Sequence, residues 1–154
     1  MALLVALAPG LAAAGPAAAQ GIEISSAKGA VISISAASLA KLPGIEQDAR
    51  FQTAKGVSNG HYKGALLWDV LKANGAIAET GHHDDLRQVF AVIGRDGYRI
   101  DFSVGEIAPE FGNKPMMIAT DVDGKPIADG FRLVVPGDRL GARNVRDVVR
   151  IEIR

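Results

Sequence analysis

The sequence predicts an α+β domain, mostly strand, with two or three short helices. Three observations carry that expectation. Short runs of β-branched and aromatic residues alternate with polar ones through most of the chain. Eighteen Gly and seven Pro supply turns between those runs. Only Gly64 to Gly75 has sustained helical spacing. The 154 residues fit one domain, which would bury roughly two-thirds of the surface its unfolded chain exposes.

Met1 to Gln20 carries no charged side chain. Leu3 to Leu7 is apolar, and Ala17-Ala18-Ala19 fits the small-x-small pattern before a signal-peptidase cut, although a basic start is missing. We read residues 1–19 as a cleaved signal peptide and residues 20–154 as the mature domain, periplasmic or secreted. No membrane span is expected, because Pro9, Gly10, Gly15 and Pro16 interrupt the apolar run.

The mature chain opens with two half-buried strands, around Ile22 and Ile24 and from Val31 to Ile34, flanking Lys28-Gly29. Ser38 to Leu42 reads as one helical turn stopped by Pro43-Gly44, and Arg50 to Thr53 as a short strand. The helix over 64–75 puts Leu67, Val70 and Leu71 on one face and ends at Asn74-Gly75. Leu86 to Gly94 and Tyr98 to Phe102 form a hairpin about Asp96-Gly97. Ser103 and Glu106 match a capping box, so a short helix starts there and ends near Pro109. Met116 to Ala119 and Phe131 to Val135 are strands separated by the turn Asp123 to Pro126, and Val145 to Ile153 is a terminal strand.

Seventeen Lys+Arg balance seventeen Asp+Glu, so no global field selects nucleic acid. The balance hides an asymmetry. Residues 131–154 hold six Arg and three acids, net +3, and residues 81–130 hold five bases and nine acids, net −4. No cysteine is present, which excludes disulfides, a thiolate nucleophile and Cys-ligated metal.

The segment Phe131 to Arg146 is the strongest candidate for chemistry. A buried strand leads to the Pro136-Gly137 turn, Gly141 permits close backbone approach, and Arg132, Arg139, Arg143 and Arg146 offer planar forks to an anion. From spacing alone a solvated loop whose arginines pair with the acids is the favoured reading. Trp68, the only Trp, is either a stacking plate or a core residue, and Tyr98 either lines a cleft or satisfies a buried polar group. His61 stands alone beside Tyr62 as a ligand contact or a surface residue. His82-His83-Asp84-Asp85 reads as a solvated loop before a metal site, because no second pair stands at i+4 spacing. Asp121 to Gly124 is a turn, lacking the later bidentate Glu of a calcium loop.

Three phrases in order, "YKGALLWDVLKANG", "DGYRIDFSVGEI" and "DGKPIADGFRLVVPGDRLGARNVRDVVRIEIR", give a combined match over about residues 50–154. They resemble the molybdopterin-binding domain of the sulfite-oxidase family. That resemblance implies mixed β-sheets around a pterin-cofactor cleft, with Arg132, Gly137, Gly141, Arg143 and Arg146 as the cradle and Trp68 and His61 beside it. The departures are specific. The family's metal-ligating cysteine has no counterpart, its His-Gly reads Asp129-Gly130, and its Lys-Trp reads Arg146-Asp147. The expected function is therefore a pterin-like anionic ligand bound by an exported sensor or carrier, without molybdenum or redox catalysis of its own. A periplasmic or membrane protein is the expected partner. The alternatives are a molybdenum oxidoreductase lacking the cysteine ligand, and an interaction module with a vestigial cleft.

Overall fold

The computed structural model describes residues 20–79 and 81–154; the expected signal peptide, 1–19, lies outside the described residues. Ten strands and three helices follow in the order β1 (Gly21–Ser25), β2 (Val31–Ser35), α1 (Ala36–Leu39), β3 (Gly44–Thr53), β4 (Gly56–Leu66), α2 (Leu67–Ala73), β5 (Val89–Gly94), β6 (Arg99–Ser103), α3 (Val104–Ile107), β7 (Met117–Val122), β8 (Lys125–Pro126), β9 (Arg132–Val134) and β10 (Val148–Ile153). The class is mixed α+β, as the alternation predicts.

Two sheets form. One runs β2-β1-β10-β5-β6, with β1 and β10 parallel. The other runs β3-β4-β7-β8, and β9 also pairs with β7. Ile22, Ile24, Ile34, Phe90 and Ile151 point into the main core, where Phe90 and Phe102 stack at 5.1 Å. A smaller cluster of Phe51, Tyr62, Met117 and Val134 lies on the other side of the second sheet. β7 is buried on both faces: Ile118 joins the main core, while Met117 and Ala119 join the smaller one. Fully burying a side chain such as Ile118 or Met117 stabilises by roughly 1.5–3 kcal/mol.

Local differences from the sequence reading have local causes. The first helical turn starts before Ser38, because the Ser35 hydroxyl accepts from the Ser38 N–H at 3.2 Å. The expected strand at 50–53 is the end of β3, which pairs along its whole length with β4. Glycines at 56, 60 and 64 dilute the alternation in β4 and conceal it. The helix begins at Leu67 and not at Gly64, which is in β4; a Cβ at Gly64 would overlap the Ile118 carbonyl oxygen. Leu86 lies in a 3-10 turn, Asp84–Arg87. The adjacent Gln88 side chain is buried, accepting from the Ala78 N–H at 2.8 Å and donating to its carbonyl at 2.9 Å. Ser103 caps α3 through Gly105, but Glu106 turns away to Arg143, so the reciprocal half of the capping box is not made. The terminal strand starts at Val148, with a register shift before Arg150 that buries Val148, Ile151 and Ile153.

Candidate functional site

In the loop from β9 to β10 the arginines divide into two kinds. Gly137 has φ of 82° and turns the chain after Pro136. Gly141 opens a 3-10 turn, Gly141–Arg143, and sits against Phe51; an added Cβ would lie 2.6 Å from the Phe51 ring. Its small size therefore serves the contact between loop and hairpin. Tyr98 reinforces the loop, its hydroxyl donating to the Ala142 carbonyl at 2.8 Å.

Arg143 is a structural hub. Its Nε and Nη2 donate to Asp138 at 2.7 Å each, its Nη1 donates to Glu106 at 3.1 Å, and its guanidinium carbon stands 5.4 Å from the centre of the Phe102 ring. Three of the five guanidinium N–H donors are thus engaged. Lys114 donates to the same Asp138 at 2.8 Å. The Arg143 hydrogen bonds, aided by Lys114 and opposed by burial, hold the Asp138 carboxyl below its ordinary range. Two cations and two carboxylates cancel, so the network leaves no net charge for a ligand. It ties the loop to α3.

Arg132 is also committed. Its side chain is 17% exposed, with Asp129 at 3.6 Å, and its Nε is buried without a partner. Asn144 accepts from the Val135 N–H at 2.8 Å, while its Nδ2 is buried without a partner. By contrast, Arg139 and Arg146 are exposed and have no ion pair among the described residues.

Arg139 lines a groove of about 680 Å³ together with Arg50, Phe51, Gln52, Val57 and Leu140. The groove exists because Gln52 donates its backbone N–H to the Arg139 carbonyl at 2.9 Å, bringing the loop against the outer edge of β3. Leu140 is 65% and Val57 50% exposed. Arg50, like Arg139, has no ion pair among the described residues. Two free guanidinium groups beside apolar walls suit a flat anion with an apolar face.

The other expected site residues lie elsewhere. His61, on β4, has Asp48 at 2.8 Å and Glu46 at 3.3 Å from its two ring nitrogens. The Asp48 hydrogen bond, then that of Glu46, raises its pKa above the ordinary histidine value. It lines a shallow hollow that shares Arg50 with the Arg139 groove, so the two adjoin. Trp68 is half-buried on α2 in a separate cavity of about 320 Å³. Arg146 lines none of these hollows. A larger hollow, about 1,070 Å³ between α1 and the 120–131 segment, has Lys63 as its only cation among the described residues, and Lys63 pairs with Glu46 at 3.3 Å. It offers an anion nothing unpaired.

The His82 and His83 rings lie 3.7 Å apart, tilted by 47°, with Phe111 edge-on to His83 at 5.3 Å. Among the described residues no group of three or more His, Asp or Glu is placed to hold a metal ion. Arg50 carries no motif signal. Its pairing with Arg139 depends on a tertiary contact, which the parallel bridge between Gln52 and Leu140 creates.

No family model matches the chain, and no curated protein matches it. Among solved structures it is similar to the crystal structure of the sulfane dehydrogenase SoxCD from Paracoccus pantotrophus, with a TM-score of 0.68 and 18% identity. The likeness covers 87% of this chain and 38% of that one, so this chain spans well under half its neighbour's length. At that identity the two share a fold over nearly all of the present chain.

Proposed function

We propose that the chain is an exported binding domain with the sulfite-oxidase-type molybdopterin-binding fold. It takes a pterin-like anionic small molecule in the groove between Arg50 and Arg139 and performs no redox step of its own. One observation carries this reading: two unpaired arginines line one apolar groove, and one of them belongs to the "PGDRLGAR" loop that resembles the pterin cradle. The fold likeness supports it. Arg139 and Arg50 bind the anionic group, Phe51, Val57 and Leu140 cover the ring, and Arg143 positions the loop through Asp138 and Glu106.

A pterin-bound molybdenum does not fit the donors present. The family's protein thiolate has no counterpart, because the chain has no cysteine. We derive no step through the metal. A small binding domain of this kind works as a sensor or carrier, reporting to a periplasmic or membrane protein.

The test is a titration of the purified mature protein with pterin-6-carboxylate, followed by the pterin's own fluorescence. Saturable binding that weakens with rising salt is expected, since exposed charges are screened over about 8 Å at physiological ionic strength. Absence of binding up to millimolar pterin would falsify the reading.

A further inference from the structure

The cavity beside Trp68 has the opposite chemistry to the arginine groove. Its rim carries four carboxylates, Glu79, Asp84, Asp85 and Glu110, against one lysine, Lys72. Its apolar lining comes from Trp68, Pro109 and the buried Ile77 and Ala108. An ammonium already lies against the indole: Lys72 Nζ is 5.4 Å from the centre of the Trp68 ring and pairs with Glu79. The indole face thus attracts a cation, as its quadrupole dictates. Lys72 and Glu79 neutralise each other. Of the other three, Asp84 is engaged, whereas Asp85 and Glu110 have no ion pair or side-chain hydrogen bond among the described residues. A cavity of about 320 Å³ admits a small molecule and few waters.

We propose that this cavity binds a small organic cation, an alkylammonium whose charged head lies on the Trp68 face and is neutralised by Asp85 and Glu110. The site is separate from the arginine groove, shares no lining residue with it, and stands whether or not that groove takes a pterin. Lys72 acts as an internal competitor for the indole face.

The experiment is a titration of the protein with choline chloride at constant ionic strength, read by the emission of Trp68, the only tryptophan. A saturable change is expected with choline and none with sodium chloride or sodium butyrate. The double variant Asp85→Asn/Glu110→Gln should bind choline about tenfold more weakly, while Lys72→Met should bind it at least as tightly as the wild type. If the double variant fails to fold, Glu110→Gln alone should weaken binding about threefold. Equal responses to choline and sodium chloride, a response to butyrate in place of choline, or unchanged affinity in the folded acid variants would overturn the proposal.

Discussion

The loop after β9 and the pocket beside α2 handle their charges in opposite ways. In the loop, Arg143 and Arg132 are held by carboxylates, whereas Arg139 stays free beside Arg50. In the pocket, Lys72 is paired, and Asp85 and Glu110 have no ion pair among the described residues. A chain of zero net charge therefore presents a basic groove and an acidic cavity. The lesson concerns which charges count. A guanidinium already bound to two carboxylates builds the scaffold, and an unpaired one is available to a ligand.

Breaking the scaffold should have the largest effect. Arg143→Ala removes both carboxylate contacts and leaves Asp138, 14% exposed, with Lys114 alone. A loss of about 2 kcal/mol in stability is expected, discounted because Arg143 is one-third exposed, and urea unfolding measures it. Gly141→Ala pushes a methyl into the Phe51 ring and should cost about 1–2 kcal/mol while separating Arg139 from Arg50. Reduced pterin affinity alongside the lost stability checks this coupling. Arg139→Gln should leave the unfolding midpoint unchanged and weaken pterin-6-carboxylate binding by about 1 kcal/mol, or about fivefold.

The pH dependences differ in sign. Asp138 titrates below its ordinary value when folded, so its contribution is full above the ordinary aspartate range and is lost as pH falls through its lowered pKa. His61 titrates above its ordinary value, so its pairing with Asp48 and Glu46 contributes below the ordinary histidine range and is lost as pH rises through the raised pKa. This should be the smallest effect, because the pair is solvent-exposed. A His61 ring titration by NMR that shows an ordinary or lowered value contradicts it.

Much of the fold was legible because turns carry their own chemistry. Gly29 and Gly97, each with φ of 83°, mark the two hairpins of the first sheet where the sequence placed them. Gly75, with φ of 60°, lies just past α2. β4 was hidden altogether, because its glycines serve tight packing against β7 and erase the period-2 signal. The candidate site was legible only in part. The loop's arginines stand out in the sequence, but which of them are neutralised depends on Glu106 and Lys114, distant residues brought in by α3 and the segment after it. Arg50 was invisible for the same reason: no local pattern reveals that Gln52 bonds to Arg139.

The most direct measurement compares pterin-6-carboxylate affinity and urea stability in the wild type and in the double variant Arg50→Gln/Arg139→Gln. The predicted result is binding weaker by about 2 kcal/mol, or about thirtyfold, with an unchanged unfolding midpoint. A double variant that binds the pterin as tightly as the wild type contradicts the assignment of these two arginines to the ligand.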